Sequence, residues 1–407
     1  MPLFYVISHY SNLPFRAWEQ RELGELMNVK SVKRIHQSDW TDKGIRFLRA
    51  RDIVSASKGK VPSEYLYISR KIYEEYSKIS GKVENGDLLV TGVGSIGIPM
   101  LINHDEPLYF KDGNIIWFQN MKYINGEFFY YSFISYSIQK FIRDSAGTGT
   151  VGTYTIDSGR KTPIYLSNNN EQEKIGSFFK LLDNTIALHQ RKLDALKLMK
   201  KGFLQQMFPK RGENIPKIRL DDFDDIWEER ILGEFLKESK IKGSNGSLAK
   251  KLTVKLWRKG VVPKEEIYTG SSATQYYIRK TGQFIYGKLD FLNQAFGIIP
   301  LELDGYESTL DSPAFDIEES INETFLLEYV SLVRFYKYQG NIANGSRRAK
   351  RIHTDTFFEM PIPLPNSNEQ QKIGTFSQQI DDLIALQQNK LEKISSLKRF
   401  YLKNMFI

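Results

Sequence analysis

The chain has 407 residues and contains no cysteine. This absence excludes disulfide bridges, a thiolate nucleophile and cysteine-ligated zinc, and it favours a reducing cytoplasm as the location. The sequence also lacks an apolar run of about 18 residues or more and begins without a secretory signal, so we expect no membrane-spanning segment. The five histidines are scattered without the spacing of a metal site, and no bound metal is predicted.

Sequence motifs of catalysis are also missing. There is no G-x-S-x-G nucleophile elbow, no Walker P-loop and no Asn/Asp-Pro-Pro-aromatic tetrapeptide of an amino-methyltransferase. One glycine pattern, "GVGSIG" at Gly92–Gly97, matches the dinucleotide-binding fingerprint. That fingerprint requires the glycine turn to open a helix, whereas Pro99 and a run of β-forming residues follow here. The pattern therefore predicts a β-hairpin instead of a nucleotide site.

The length and charge of the chain set broad limits. A single ordinary core does not accommodate 407 residues, so two or more domains are predicted. The net charge of +9 permits a polyanionic partner without requiring one.

An internal repeat is the most informative feature. Residues 168–208 align without a gap with residues 366–406 at an offset of 198, and 19 of the 41 positions are identical. Each copy predicts a long helix, with Asn170 and Asn368 as N-caps and an acid or amide three residues later, as in a capping box. A helix of ~37 residues would be about 55 Å long at 1.5 Å per residue.

Apolar residues recur in both copies at alternating spacings of three and four, which is typical of a coiled-coil seam. Polar residues interrupt the seam at matching positions and tend to fix its register. Two such helices in one chain most simply pair with each other, and antiparallel pairing would relate the halves by an approximate two-fold. The predicted seam consists of Leu182, Ile186, His189, Leu193, Leu196, Lys200, Ile380, Ile384, Gln387, Leu391, Ile394 and Lys398.

Apolar residues are also predicted on the outer face of the helices, including Ala187, Leu188 and Leu198. They indicate either a surface for a partner or packing against the modules.

A shorter repeat opens each half of the chain. It reads "WEQRELGE" at Trp18–Glu25 and "WEERILGE" at Trp227–Glu234. Between opener and helix the two halves have diverged into short strands and turns, with helical segments such as 127–141 and 323–338. We predict an α+β fold with two mixed α/β modules and two repeated helices. A constant frame that carries two unlike modules is typical of a protein with two different recognition tasks.

Basic residues cluster locally, in "GIRFLRARD", "AKKLTVKLWRKG" and "NGSRRAKR". Arginine close to glycine suits phosphate contacts and the reading of guanine edges. A solvated basic loop is the alternative interpretation. The Gly92–Gly97 turn allows close approach of the backbone to a phosphate, although a hairpin without a ligand is an equal alternative.

These motifs together resemble the specificity subunit of Type I restriction-modification systems. The resemblance spans nearly the whole chain and is carried by "NEQEKIG" and "NEQQKIG" at the helix starts, "PIPLP" before the second helix, "WEERILGE", and "GDLLVTGVGSIG". Two features depart from the family pattern. The first helix is preceded by "TPIYLS", and the first ~13 residues have no clear counterpart.

The resemblance implies two target recognition domains, each of which reads one half of a split DNA sequence in the major groove. The helices would form an antiparallel coiled coil that sets the unread spacer. The implied partners are double-stranded DNA, two methyltransferase (M) subunits and, in the full complex, motor-nuclease (R) subunits, with no membrane. The chain itself would have no catalytic activity and bind no cofactor, because S-adenosylmethionine, ATP and Mg act through the partner subunits.

The predicted division of the chain is a tail at 1–13, target recognition domain 1 at 14–167, spacer helix 1 at 168–208, target recognition domain 2 at 209–365 and spacer helix 2 at 366–407. By the offset of 198, the basic loop at 345–355 falls on the Gly/Thr-rich loop at 147–157, and we expect both to face DNA. The predicted DNA-binding residues are Arg46, Arg49, Arg51, Thr91, Gly94, Ser95, Thr148, Thr150, Lys250, Lys251, Lys255, Arg347, Arg348, Lys350 and Arg351.

Two alternatives stay open at this point. The chain could be a coiled-coil adaptor that joins two protein-binding modules without touching DNA. It could also be an enzyme that binds a nucleotide at Gly92–Gly97. The first predicts no salt-dependent DNA binding, and the second predicts NAD or ATP binding.

Overall fold

The structure is a computed structural model that describes residues 18–146, 152–221, 223–265, 270–342, 345–346 and 349–406, with backbone alone at 342, 345–346 and 349–350. The predicted N-terminal tail, 1–13, lies outside these residues. The chain divides into two compact units: Met1–Gln190 with Lys390–Ile407, and Arg191–Asn389. Each unit therefore contains one module, part of the helix that follows it and part of the other long helix.

The first module begins with its opener strand and ends at the first long helix. Its elements are β1 (Glu19–Glu22), α1 (Leu23–Leu26), β2 (Asn28–Lys30), β3 (Trp40–Thr41), β4 (Ile45–Leu48), α2 (Ala50–Ser57), β5 (Leu66–Ile68), α3 (Arg70–Ser80), β6 (Leu88–Thr91), β7 (Pro99–Leu101), β8 (Leu108–Phe110), β9 (Ile115–Gln119), α4 (Gly126–Phe133), α5 (Tyr136–Ser145), α6 (Ile156–Arg160), β10 (Pro163–Leu166) and α7 (Asn169–Met207).

Two four-stranded sheets form this module, in the orders β2-β9-β6-β7 and β3-β5-β4-β8. The central strands β6 and β9 are apolar along almost their whole length because both faces of the sheet are covered. The predicted strand in "GIRFLRARDIV" stops at Leu48, and α2 begins at Ala50. Asp52 causes this change, since its carboxylate accepts the backbone N–H of Arg49 at 2.8 Å and so caps the helix.

The second module and helix follow the same general course. Their elements are β11 (Glu228–Ile231), β12 (Leu236–Ser239), β13 (Lys242–Asn245), β14 (Leu252–Val254), β15 (Val261–Pro263), β16 (Gln275–Ile278), β17 (Phe284–Tyr286), β18 (Phe296–Ile298), β19 (Glu307–Ser308), β20 (Ala314–Ile317), α8 (Glu323–Val330), α9 (Val333–Ile342), β21 (Gly345–Ser346), β22 (Ala349–Lys350), α10 (Thr354–Phe358), β23 (Pro361–Leu364) and α11 (Ser367–Asn404). Short 3₁₀ turns lie at Gln37–Asp39, Leu232–Glu234, Phe291–Asn293 and Leu301–Leu303.

The two modules share a framework that their sequences no longer reveal. The sheet β12-β20-β17-β18 has the same order as β2-β9-β6-β7. Each opener strand pairs antiparallel with the strand before its long helix, β1 with β10 and β11 with β23. The remaining strands differ, because the second module has the sheet β13-β16-β19 and the separate hairpin β14-β15 where the first has β3-β5-β4-β8. The difference between the modules is therefore concentrated in one part of each.

The two long helices begin at Asn169 and Ser367, one residue before the predicted caps. Asn168 accepts the N–H of Glu171 at 3.0 Å, and Asn366 accepts the N–H of Glu369 at 3.0 Å. The caps predicted at Asn170 and Asn368 were wrong, since both residues lie inside the helices. The helices contain 39 and 38 residues, close to the predicted length.

The repeated "NEQ" and "IG" residues dock each helix on its own module. In the first unit Gln172 accepts the N–H of Asn125, at the start of α4. A Cβ atom at Gly176 would come within 2.8 Å of the backbone nitrogen of Phe128, so only glycine permits this approach. In the second unit Gln370 accepts the N–H of Asn322 in the same way. The conspicuous motif is thus a docking device for the helix.

Tryptophan and phenylalanine complete each docking site. Trp18 Nε1 donates to Glu171 at 3.2 Å, and Trp227 Nε1 donates to Glu369 at 3.1 Å. The end of the other helix packs on the same tryptophan, with ring centroids 6.2 Å apart for Trp18 and Phe406. In the second unit the corresponding distance from Trp227 to Phe208 is 6.0 Å.

Within each unit the two long helices run antiparallel. In the first, Phe178 packs on Tyr401 and Asp183 pairs with Lys398. In the second, Lys200 pairs with Asp381, and Phe203 packs on Phe376. The predicted α+β fold and antiparallel helix pairing are confirmed in each unit. All twelve predicted seam residues are buried or half-buried, whereas Ala187, Leu188 and Leu198 are exposed.

Candidate nucleic-acid interface

The Gly92–Gly97 segment is a hairpin turn between β6 and β7, as predicted. Thr91 holds the turn together: it is fully buried, and its hydroxyl donates to the carbonyl of Ser95 and accepts the N–H of Ile98 at 3.0 Å. Gly94 has φ 77°, in the left-handed region, with no atom within 4 Å of where a Cβ would lie. Gly94 and Ser95 are therefore the parts of the turn that a ligand can reach, and Thr91 supports them from within.

This turn lies beside the residues that follow the Gly/Thr-rich loop. The N–H of Tyr154 donates to the carbonyl of Gly92 at 2.8 Å, and Val93 forms a β-bridge with Thr153. Thr148 and Thr150 themselves lie outside the described residues. The structure thus brings two of the predicted contact segments of the first module together.

The second module repeats this arrangement with different residues. The N–H of Ile352 donates to the carbonyl of Lys288, in the loop after β17, at 3.0 Å. Tyr286 donates its hydroxyl proton to the carbonyl of Ile352 at 3.0 Å. Arg351, one residue earlier, pairs with Asp311 at 2.8 Å, and both side chains are about half exposed. Arg347 and Arg348 lie outside the described residues, as does the side chain of Lys350.

The three predicted arginines of the first module have different environments. Arg49 is only 14% exposed and bonds Asp52 and Glu64, so it holds α2 in place. Arg51 is 60% exposed and shares Glu64 at 2.9 Å. Arg46 lies on β4 and faces a surface cleft.

The Arg46 cleft has the composition of a recognition site. Its volume is about 570 Å³, and its lining includes Tyr65, Tyr67 and His104. The Arg46 guanidinium lies 4.0 Å from the centroid of the Tyr65 ring and donates to the carbonyl of Leu66 at 3.3 Å. Burial lowers the pKa of this guanidinium from its ordinary value. A stacked guanidinium keeps its plane fixed and its remaining N–H groups available to an acceptor.

The predicted lysines of the second module also differ in how far their side chains are exposed. Lys250 and Lys255 are exposed. Lys251 is only 6% exposed, and its ammonium lies 5.4 Å from the ring centroid of Tyr276. Lys250 and Lys255 are therefore placed to meet a ligand, whereas Lys251 packs inside the module.

The sequence analysis selected Lys255 at the tip of the β14–β15 hairpin but missed Trp257. Trp257 and Arg258 have φ 59° and 54°, an unusual conformation for residues other than glycine. Trp257 is 55% exposed, and Arg258 forms a bidentate ion pair with Glu328 at 2.5 and 3.0 Å. An aromatic residue between cations in "KLWRKG" was the available signal.

Glu328 connects this hairpin to the helices of the second unit. It is 1% exposed and accepts hydrogen bonds from Arg258, Lys200 and Ser377. Burial opposes its ionisation, but the positive charges of Arg258 and Lys200 and the hydrogen bonds from Arg258 and Ser377 outweigh burial and lower the pKa of Glu328 to about 2. At the corresponding place in the first unit, Tyr131 donates to Asp183 at 2.8 Å.

Among the described residues, no group of three or more histidine, aspartate or glutamate side chains is arranged to hold a metal ion. None of the helices in this part of the chain is both long and apolar enough to cross a membrane.

A repeated framework with two unlike sets of exposed polar and basic loops is the architecture of a DNA-recognition protein. Comparison with known families gives the same class. The chain matches the Type I restriction modification DNA specificity domain twice, over residues 16–198 and 227–396, and it belongs to this family.

A relative of this class matches part of the chain. A protein of Haemophilus influenzae named "Putative type I restriction enzyme specificity subunit" is 30% identical over 169 residues, which are 40% of this chain and 41% of that protein. The matched part thus spans less than half of that relative.

Solved structures show the same fold over nearly the whole chain. A chain from a type I restriction-modification system, solved in a study of complex assembly and conformational transition, has a TM-score of 0.58 at 16% identity and covers 96% of this chain and 97% of its own. The S subunit from M. genitalium has a TM-score of 0.57 at 14% identity, over 97% of this chain and 98% of its own. The HsdS subunit from Thermoanaerobacter tengcongensis has 0.51 at 16%, with the same coverage.

Proposed function

We propose that this chain is the DNA-recognition subunit of a Type I restriction-modification complex, and that each of its modules reads one half of a bipartite target. One observation carries this proposal: the modules share the sheet order and the docking of their helices but differ in the strands and loops that surround the predicted contact residues. A shared framework with different exposed loops is expected of two readers of different half-sites.

The geometry gives each module a set of groups suited to DNA. The first offers the Gly94–Ser95 turn, the stacked Arg46 and the exposed Arg51. The second offers the exposed Lys250 and Lys255 and the segment around Arg351. Arginine stacked on an aromatic ring suits a guanine edge, whereas solvent-exposed lysines suit phosphates.

The reaction itself is assigned to partner subunits. Two methyltransferase subunits would supply S-adenosylmethionine chemistry at adenine, and motor-nuclease subunits would supply ATP- and Mg-dependent cleavage, in the cytoplasm. The exposed apolar residues on the outer faces of the long helices are the proposed docking surface for the methyltransferase subunits. Leu188 is 59% exposed, Leu198 71% and Leu386 50%, so these side chains are available to a partner.

A binding assay with the assembled complex tests the proposal. The chain is mixed with its methyltransferase subunits, and its affinity for duplex DNA is measured over a range of salt concentrations. We expect salt-dependent affinity and a preference for one split sequence. A complex that assembles but shows neither property would instead support the adaptor interpretation. Binding of NAD or ATP by the isolated chain would support the nucleotide-enzyme interpretation.

A further inference from the structure

The β14–β15 hairpin ends in an aromatic residue with lysines on both sides. Its six tip residues, "KLWRKG" at 255–260, contain three cations, and no acidic residue occurs between Leu252 and Pro263. Lys255 and Lys259 are exposed, Leu256 is 38% exposed and Trp257 is 55% exposed. An apolar ring beside two exposed cations matches duplex DNA, whose grooves offer base edges and thymine methyl groups next to phosphates.

The stem of this hairpin is rigidly anchored. Leu252, Val254 and Val261 are buried against Ile285 and Ala295 of the neighbouring sheet. A Cβ atom at Gly297 would come within 2.6 Å of a Val261 methyl group, so β15 packs directly on β18. The tip therefore extends from two strands that belong to the core of the module.

The backbone of the tip is held in an unfavourable conformation. Left-handed backbone is unfavourable for a residue with a Cβ atom, and Trp257 and Arg258 both adopt it. Hydrogen bonds from their N–H groups to the carbonyls of Asn293 and Gln294, at 2.7 and 3.1 Å, maintain it. The bidentate pair of Arg258 with buried Glu328 fixes the same two residues from the other side. The result is an exposed indole ring on a backbone that is held in place at both residues.

The tip also lies next to another predicted contact segment. Asn293 and Gln294 belong to the loop between β17 and β18, which through Lys288 contacts Ile352, just after the basic loop. The hairpin, this loop and the segment around Arg351 thus adjoin one another within the second module. In the first module, α2 packs against the equivalent strands β6 and β7. The aromatic hairpin is accordingly a feature by which the second module differs from the first.

We propose that Trp257 is a specificity-determining residue that packs its ring against a base of the half-site read by the second module, while Lys255 and Lys259 contact the flanking phosphates. This inference rests on the proposed function, since it assigns a residue within that recognition.

The test uses the chain assembled with its methyltransferase subunits and a duplex whose target has been found by mapping methylated adenines. Affinity is measured at fixed salt for wild type, Trp257→Ala, Trp257→Phe and Leu301→Ala. Leu301 is the matched control, because it is an apolar residue of the same module that is 76% exposed and lies beside Glu302. Each variant is also measured on a duplex in which only the second half-site is scrambled.

Loss of an aromatic residue packed on a base edge should weaken binding of the full target by about tenfold. We expect this loss for Trp257→Ala, a much smaller one for Trp257→Phe and none for Leu301→Ala. On the scrambled duplex, Trp257→Ala and wild type should bind equally. Trp257→Gly provides a folding control, because glycine relieves the left-handed backbone: it should unfold at a temperature no lower than wild type and still lose affinity.

Unchanged affinity of Trp257→Ala on the full target would overturn the inference while leaving the proposed function intact. A loss of equal size on the scrambled duplex would also overturn it, since the ring would then not read that half-site. Reduced recovery of methyltransferase subunits with Trp257→Ala would identify a protein-docking residue and likewise reject the assignment. Failure of the wild-type complex to distinguish the two duplexes would instead reject the proposed function.

Discussion

The ammonium group of Lys200 lies 2.6 Å from Oδ2 of Asp381. The repeat places Lys398 opposite Asp183 in the first unit, but only Lys200 also reaches a fully buried carboxylate, Glu328 at 2.9 Å. Removing Lys200 leaves Glu328 with one cationic partner in place of two, whereas removing Lys398 leaves Asp183, which is 38% exposed, able to meet water.

We therefore expect Lys200→Met to be more destabilising than Lys398→Met. Glu328 keeps its pair with Arg258, so the loss of Lys200 should cost about 1–3 kcal/mol, whereas the loss of a partly exposed pair costs about 0–1 kcal/mol. Urea unfolding of the two variants, followed by circular dichroism, measures the difference. Equal losses of unfolding free energy would show that Glu328 does not depend on Lys200.

The low pKa of Glu328 predicts an acid-sensitive second unit. Its pKa is about 2 in the folded state, below the ordinary value of 4.5. A depressed pKa stabilises the fold above pH ~4.5, and this contribution, about 3 kcal/mol, is lost as the pH falls towards 2. Unfolding free energies measured from pH 6 to about 2 should show this loss, and Glu328→Gln should show a smaller slope over the same interval. An unchanged slope in the variant would assign the acid sensitivity to other groups.

The helix-docking contacts predict another asymmetry between the units. Glu369 is 1% exposed and accepts both the Trp227 indole N–H and the guanidinium of Arg219. Glu171, its counterpart, is half-buried and accepts the indole N–H of Trp18 without an arginine partner among the described residues. Glu369→Ala removes the carboxylate partner of Arg219, which keeps only its bond to the carbonyl of Asp225 among the described contacts, and should cost about 1–3 kcal/mol, whereas Glu171→Ala should cost about 1 kcal/mol. Thermal unfolding of both variants tests this, and a larger effect of Glu171→Ala would contradict it.

Arg46 should affect recognition of one half-site only. Arg46→Ala removes the guanidinium stacked on Tyr65 and should relax base preference at one position of the half-site read by the first module, with a loss of about 1–3 kcal/mol. Arg46→Lys should not restore it, because an ammonium lacks the planar donor fork. Arg34→Ala is the control, an arginine of the same module that is 67% exposed and pairs with Asp112. A loss that is uniform across sequences would make Arg46 a phosphate contact.

Charges on the outer helix faces should prevent assembly without unfolding the chain. Leu188→Glu and Leu386→Glu place a carboxylate on residues that are 59% and 50% exposed. We expect at least a tenfold loss of binding to the methyltransferase subunits, at unchanged helix content. Gln190→Glu, at an exposed polar position on another face of the helix that carries Leu188, serves as the control. Full binding by both leucine variants would show that these helix faces do not contact the methyltransferase subunits.

The sequence predicted the helices well and the interface only in part. The helices could be predicted because a long apolar period occurs twice in the sequence. The hairpin at Gly92–Gly97 could be predicted because Pro99 excludes a helix there. The first residue of each helix could not be predicted, since Asn168 and Asn170 are equally good caps by residue type. Only the hydrogen bond from Glu171 N–H to Asn168 distinguishes them.

The residues of the interface were harder to predict for a related reason. Arg46, Arg49 and Arg51 have the same chemistry in sequence, and their partners decide which of them is free. Arg49 is neutralised by Asp52 and Glu64, and the latter is thirteen residues from Arg51. The sheet order common to the two modules could not be predicted either. Buried strands need only be apolar, so equivalent strands in the two modules need not have similar sequences.

Mapping methylated adenines in host DNA, with and without this chain, tests the central claim most directly. The account predicts methylation at one split sequence that disappears when the chain is removed. It further predicts that substitutions in the first module change only one half of that sequence, and substitutions in the second module only the other. Methylation that is unaffected by loss of the chain, or a single variant that alters both halves, would contradict the account.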